Sequence, residues 1–310
     1  MKRIGTTPLE VFPLCLGGNV FGWTADERQS FAVLDAYAAA GGNFVDTADV
    51  YSAWVPGHTG GESETILGRW MAARRNRDRM VVTTKVGKLP GLDGLAARTI
   101  RAATEGSLRR LRTDRIDLYY AHADDAATPL EETLGEFDAL VREGKIRHLA
   151  ASNYSEPRLS EALATSSRGG LARYVALQPH YNLVHRAEYE GPLAALCARE
   201  GLACFPYYAL ASGFLSGKYR SGAKVESARA SAAAKYLDDR GLRTLAALDA
   251  IAAERRMSAA AVSLAWLLTR PAVVAPIASA RTPEQLADLL PAVSVRLTVD
   301  EQERLDVASA

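Results

Sequence analysis

The sequence predicts an α/β fold, a (β/α)8 TIM barrel preceded by an N-terminal β-hairpin, and three observations carry that expectation. Short β-branched or aromatic runs alternate with longer stretches of helical spacing, eight such runs can be counted, and the first dozen residues hold two extended segments around a turn. Strands separated by helical segments imply a parallel sheet, because a parallel connection needs a crossover long enough to contain a helix. Periodicity alone leaves a closed barrel and an open doubly wound sheet close to even. The count of eight favours the barrel.

The hairpin comes first: residues 2–4 and 10–12 flank Gly5-Thr6-Thr7-Pro8, whose glycine and proline suit a turn. The candidate barrel strands follow at residues 14–17, 43–46, 80–85, 116–122, 146–152, 174–178, 202–207 and 273–277. Between them apolar residues recur at three- and four-residue intervals. Phe31, Leu34 and Ala38 make one stripe, Leu134, Phe137, Leu140 and Val141 a second, and Leu193, Leu196 and Cys197 a third. Residues 211–241, rich in Ser, Gly, Ala and basic side chains, read better as a long βα loop carrying binding groups than as a linker. A strand precedes them, and helices and a last strand follow. With no Pro/Ser-rich break elsewhere, residues 1–310 are expected to form a single domain.

Composition narrows the function. In 310 residues, 48% are hydrophobic and 24% charged, enough apolar surface for a sizeable core. The 37 Lys and Arg nearly cancel the 36 Asp and Glu, leaving a formal charge of +1. Nucleic-acid binders carry a basic excess or stripe, so no nucleic-acid partner is expected. Cys15, Cys197 and Cys204 are odd in number and lack metal-ligand spacing, so neither disulfides nor a metal is expected, and a reducing cytoplasm fits. Met1 to Leu16 has no signal-peptide core and no later run reaches ~18 apolar residues. The expectation is a cytoplasmic protein with no membrane partner.

Active sites of such barrels sit at the C-terminal ends of the strands. The polar residues at those positions are Asp46, Lys85, His122, Ser152, Asn153, Gln178 and Tyr207, with Tyr51 five residues past Asp46 in the next loop. One strand-end lysine or aspartate is commonly a surface ion pair, and one histidine a satisfied core residue. Four converging titratable groups suit a site better.

The run Phe44-Val45-Asp46-Thr47-Ala48-Asp49-Val50-Tyr51 resembles the aldo-keto reductase signature. So do Thr83-Thr84-Lys85, Asp117-Leu118-Tyr119-Tyr120-Ala121-His122 and Gly213-Phe214-Leu215-Ser216-Gly217-Lys218-Tyr219. In order, these matches run from the hairpin to Leu290. The resemblance implies an NADPH-dependent reductase of aldehydes or ketones with a catalytic tetrad of Asp46, Tyr51, Lys85 and His122. A carbonyl that accepts hydride becomes an alkoxide and needs a proton as charge develops. A free tyrosine, pKa about 10, gives one reluctantly. A neighbouring ammonium, Lys85 held by Asp46, is expected to lower that pKa, while His122 orients the carbonyl oxygen.

The same resemblance implies the cofactor contacts. Ser152, Asn153 and Gln178 match the groups that hold the nicotinamide amide, and Tyr207 the aromatic that stacks on its ring. Tyr208, Leu210, Ser212 and Lys218 would follow the pyrophosphate, with Arg229 beside the adenosine end. Gly18, Asn19, Asp46 and Ile277 are assigned to the cofactor as well. Ser279, Arg281, Gln285 and Asp288 match the adenosine-phosphate motif, with a helix over residues 283–290 aiming its N-terminus at the phosphate. No Gly-x-Gly-x-x-Gly follows the first strand, where the run is Gly17-Gly18-Asn19-Val20-Phe21-Gly22. The pattern departs from the family at Ser279, usually Gly, at Leu289, usually Asn, and at Tyr208 and Ala209, often Ser and Pro.

For substrate, Trp23 and Trp54 fall in the first two strand-to-helix loops, where either could wall a carbonyl pocket together with Tyr51 and His122, or pack under its own loop. The alternatives are an NADPH-binding redox sensor or regulatory subunit with slow turnover, and a barrel hydrolase or isomerase. One channel-subunit pattern has Asn where this chain has His122, which favours an enzyme. The hydrolase would need paired carboxylates or a His-rich metal set at the strand ends, which His58, His122, His148, His180 and His185 do not form.

Overall fold

The computed structural model describes residues 1–219 and 230–310. Eight parallel strands curl into one sheet: β1 (Cys15–Gly17), β2 (Phe44–Asp46), β3 (Val81–Val86), β4 (Ile116–Ala121), β5 (Ile146–Ser152), β6 (Tyr174–Gln178), β7 (Ala203–Cys204) and β8 (Ile277–Ala278). Neighbours run in chain order from β1 to β7, and β8 pairs with β1 through Ile277 opposite Cys15 and Ala278 opposite Leu16. The ring closes between β7 and the approach to β8. Val273 bridges Cys204 in parallel, Val274 N donates to Cys204 O at 3.0 Å, and Ile277 N donates to Pro206 O at 2.8 Å. The sheet is a (β/α)8 barrel, with the antiparallel hairpin Lys2–Arg3 and Glu10–Val11 ahead of it.

Six helices follow the first six strands in turn: α1 (Glu27–Ala39), α2 (Glu62–Arg74), α3 (Ala97–Leu111), α4 (Leu130–Arg142), α5 (Glu156–Gly169) and α6 (Pro192–Glu200). Local sequence sets their ends: Asp26 and Gln29 form a capping box on α1, and Gly170 and Gly201 end α5 and α6 in the left-handed region. After β7 come α7 (Ala230–Ala234), α8 (Asp239–Arg255) and α9 (Ala259–Leu268), and after β8 come α10 (Pro283–Ala287) and α11 (Val299–Ala308). Cys15, Cys197 and Cys204 are buried thiols. No helix among the described residues is long and apolar enough to cross a membrane.

The two-residue period of a strand sorts side chains between two cores. Val45, Val82, Tyr119 and Leu149 pack outward beneath the helices. Phe44, Val81, Leu118, Tyr120, Ala150 and Ala176 pack inside the barrel, where the hairpin's Ile4, Leu9 and Val11 join them. Phe44 and Phe205 meet in the barrel interior with ring centroids 4.9 Å apart, each burial stabilising by about 1.5–3 kcal/mol. Continuing the inward alternation past this apolar layer brings Asp46, Lys85, His122, Ser152 and Gln178 to the C-terminal mouth.

Three elements differ from the sequence reading. The last strand is Ile277–Ala278 rather than 273–277, because Pro276 has no N–H to give a ladder. The strand read at 202–207 keeps only Ala203–Cys204, with Pro206 interrupting it. The helix read over 283–290 is five residues, α10, followed by a 3-10 turn at Leu290–Val293. Pro291 disfavours helical geometry at the residue before it. A helix that short carries little macrodipole beyond the N–H groups of its first turn.

Candidate active site

Lys85 is fully buried and its ammonium is the hub of the barrel mouth. Its Nζ lies 2.6 Å from Asp46 Oδ2 and donates to Thr47 O at 2.8 Å and to the Tyr51 hydroxyl at 2.9 Å. Tyr51 in turn donates to Asp46 Oδ2 at 3.3 Å. The other carboxylate oxygen accepts from Thr83 Oγ1 at 2.8 Å and Gln178 Nε2 at 3.0 Å. A buried ion pair is stable only when its remaining valences are filled, and β2, β3 and β6 fill them here. Just past Tyr51 the chain turns at Ser52, φ 74°, whose hydroxyl donates to Phe21 O at 3.0 Å and fixes the loop.

Burial and the Asp46 carboxylate hold the Tyr51 phenol well above the usual tyrosine range. This runs opposite to the lowering expected from Lys85 held by Asp46, because burial comes first and the same carboxylate lies beside the phenol. His122 sits at the end of β4 with its ring centroid 6.2 Å from that of Tyr51. Burial and the ammoniums of Lys85 and Lys88 hold its imidazole neutral, well below the usual range.

Beside this cluster opens a cavity of about 610 Å³, within the usual size of small-molecule sites. Asp46, Tyr51, His122, Trp54, Ser152, Asn153, Gln178 and Tyr207 line one end. Tyr208, Leu210, Ser212, Lys218, Asn19, Ile277, Ser279, Arg281, Gln285 and Asp288 line the remainder. At Gly18 a Cβ would come 2.8 Å from Ser63 Oγ and 3.0 Å from Asp46 O, so the close approach of the turn after β1 to α2 and β2 requires glycine. Trp23 does not line the cavity. It packs edge-on against Trp54 at 5.5 Å and supports the side chain that does. Arg229 lies outside the described residues.

The polar groups at the ends of β5 and β6 are tied into the barrel mouth by hydrogen bonds. Asn153, at φ 56°, donates to His122 O at 2.8 Å and to Ser152 Oγ at 3.0 Å, and its Oδ1 accepts from Tyr207 OH at 2.7 Å. Ser152 Oγ donates to Gln178 O at 3.0 Å. At the far end Ser279 Oγ donates to Asn19 Oδ1 at 2.6 Å, and Arg281 N donates to Gln285 Oε1 at 3.0 Å. Neither Arg281 nor Lys218 has an acidic partner among the described residues. Between them Tyr208, Ala211 and Ser212 have φ of 49°, 48° and 59°, left-handed backbone that side chains disfavour and that gathers at binding loops.

Sequence reasoning missed two charged groups. Lys88 also lines the cavity, carried by a two-residue hairpin strand too short to leave a pattern. Asp49, inside the quoted signature, is fully buried with both carboxylate oxygens lacking hydrogen bonds. Burial and the charge of Glu64 push it up to about 8. Glu64 itself accepts from Thr84 Oγ1 at 2.5 Å and Arg110 Nε at 2.6 Å. Only the fold brings Glu64, at the start of α2, beneath the Tyr51 loop.

Comparison with known proteins gives the class. The profile of the Aldo/keto reductase family matches residues 13–310, and the chain belongs to that family. It is 35% identical over 306 residues to the uncharacterized oxidoreductase YrpG of Bacillus subtilis (strain 168), covering 95% of this chain and 91% of that one. It is 32% identical over 310 residues to the norsolorinic acid reductase stcV of Emericella nidulans, covering 94% and 77%. It is also 32% identical over 305 residues to a probable voltage-gated potassium channel subunit beta of Oryza sativa subsp. japonica, covering 95% and 91%. Membership marks the chain as an oxidoreductase in a family that acts on small-molecule carbonyl substrates.

Proposed function

We propose that this protein reduces aldehydes or ketones to alcohols with NADPH, in the cytoplasm, and that Tyr51 is its proton donor. The observation that carries the reading is the buried Lys85 ammonium bonded at once to Asp46 and to the Tyr51 hydroxyl at the edge of an open cavity. NADPH, when bound, supplies the hydride. Tyr51, protonated because burial and Asp46 keep it so, gives its proton to the oxygen that gains charge. Lys85 then faces the resulting phenolate at hydrogen-bond distance and stabilises it, where in water the two would barely interact. His122, neutral, can donate an N–H to the same oxygen without adding a competing charge.

The cavity supports a dinucleotide in three respects. Its amide-bearing end is held rigid by the Ser152, Asn153 and Gln178 bonds, so those groups are preorganised. The Tyr207 ring supplies an aromatic wall. Two cations without acidic partners among the described residues, Lys218 and Arg281, suit phosphates. Tyr208, Leu210 and Ser212 would hold the pyrophosphate with them, while Gly18, Asn19 and Ile277 lie where the bound chain would cross β1 and β8. Ser279, Arg281, Gln285 and Asp288 would surround the adenosine end, and Trp54 the substrate. Residues 1–310 are taken as a single domain in this reading.

The rice channel-subunit relative favours a second reading, a redox sensor with slow turnover. Titrating the purified protein with NADPH while following its fluorescence, then offering a panel of carbonyls, separates them. Quenching with turnover is expected. Quenching without turnover on any member favours the sensor, and no quenching overturns both.

A further inference from the structure

The end of the cavity that holds Tyr51 and His122 carries a second ammonium, on Lys88, beside that of Lys85. Lys88 follows β3 on a small hairpin, Lys88–Leu89 paired with Leu92–Asp93. Leu89 is buried and anchors that hairpin, and Gly87, at φ 110°, turns the chain from β3 into it. Lys88 thereby lines the same cavity as Tyr51, Trp54 and His122, and its charge is felt by His122. Its side chain has no hydrogen bond and no ion pair among the described residues. Asp93, its backbone partner across the hairpin, forms no salt bridge with it. The acids lining the cavity are Asp46 and Asp288. Asp46 is engaged by Lys85, Thr83 and Gln178, and Asp288 lies at the far end with Arg281 and Gln285. Lys218 and Arg281 also belong to that far end, where phosphates are expected. At the carbonyl end one positive charge is therefore left without a countercharge.

That charge is close enough to matter there. The ammoniums of Lys85 and Lys88 both act on His122, and burial together with Lys85 lowers the affinity of Lys88 for its own proton. A cation kept partly desolvated beside other cations gains from an arriving anion, and the aromatic faces of Tyr51 and Trp54 would cover the apolar body that links that anion to the carbonyl.

We propose that Lys88 is a specificity residue that pairs with an anionic substituent, so that the preferred substrates are aldehydes or ketones bearing a carboxylate. The inference rests on the reductase reading. Lys88 is solvent-exposed, so the pair is screened and a preference of about fivefold is expected, the upper range for exposed ion pairs.

The test compares 3- and 4-carboxybenzaldehyde with their methyl esters, which keep the shape and remove the charge. In the wild-type holoenzyme with NADPH, kcat/KM for at least one acid should exceed that of its ester about fivefold, mostly through KM, and the ratio should shrink in high salt. Lys88→Met should bring the ratio to one or below, Lys88→Glu should invert it, and Lys88→Arg should retain it. Equal kcat/KM for acids and esters in the wild type, or an unchanged ratio in Lys88→Met, overturns the proposal. Calorimetry with 3- and 4-(hydroxymethyl)benzoate against their methyl esters reads the same preference without turnover. If no carbonyl is reduced, the reductase reading fails. Loss of preference in the calorimetry then decides the Lys88 proposal separately.

Discussion

Lys85 donates a 2.9 Å hydrogen bond to the Tyr51 hydroxyl from the neighbouring strand, while its other contacts go to Asp46 and to the backbone of Thr47. The ammonium thus reaches the phenol oxygen already neutralised by a carboxylate. Asp46 raises the phenol's affinity for its proton, and Lys85 is in place to receive the charge that proton loss creates. Such an arrangement suits an acid that must be loaded before reaction and must release late.

Replacing Tyr51 by phenylalanine keeps the ring and removes the proton. We expect Tyr51→Phe to lower kcat by about 10²-fold or more, the scale of losing a positioned acid, with NADPH affinity nearly unchanged. Steady-state kinetics at saturating substrate, paired with fluorescence titration of NADPH, measures both. A kcat within a few-fold of wild type would exclude Tyr51 as the donor.

Cofactor preference should reside in Arg281. The 2′-phosphate that distinguishes NADPH from NADH carries about one and a half to two negative charges at neutral pH. Arg281 faces the cavity with no acidic partner among the described residues, and a charge-assisted hydrogen bond is worth about 1.5–3 kcal/mol. NADPH should therefore bind at least about tenfold more tightly than NADH. Arg281→Ala should lose most of that difference and leave NADH affinity nearly as it was. Equal dissociation constants for the two cofactors in the wild type would contradict the assignment.

Asp49 gives the fold a pH dependence of its own. Its value of about 8 in the folded chain lies above the 3.8 of an unperturbed carboxyl, so the folded state holds a proton that the unfolded state has released. The stability this contributes is fully present below about pH 4 and is lost as pH rises through about 8. Asp49→Asn mimics the protonated acid at every pH. Its Tm relative to wild type should climb between pH 5 and pH 8.5, ending at least about 3 °C higher. A Tm difference that stays flat across that range would show that Asp49 does not titrate with folding.

The site was legible in the sequence wherever strand alternation carried it. Phe44 faces the barrel interior, so Asp46 does. Val81 and Thr83 fix Lys85 in the same way, and Tyr120 fixes His122. Two residues of spacing are enough, because a strand has no other way to share a face. Lys88 was not legible, since its hairpin is made by paired two-residue segments with no periodicity to read. The shift of Asp49 depends on burial and on Glu64 arriving from α2, and that of the Tyr51 phenol on burial and a carboxylate shared with Lys85. Both are facts of three-dimensional neighbourhood. The short α10 and the displaced last strand trace to Pro291 and Pro276, whose local effect is written in the sequence but was outweighed there by the apolar pattern around them.

The bond between Ser279 and Asn19 joins residues 260 positions apart, beside the pairing of β8 with β1. Contacts of such separation form late and slowly, because the loop they close must first lose its entropy. The Lys85 hub draws its partners from β2, β3 and β6, whereas the wall that would hold the adenosine end in the proposed reading needs β8 beside β1. On the proposed reading, retention of a coenzyme would therefore depend on that late closure more directly than the Lys85 hub does.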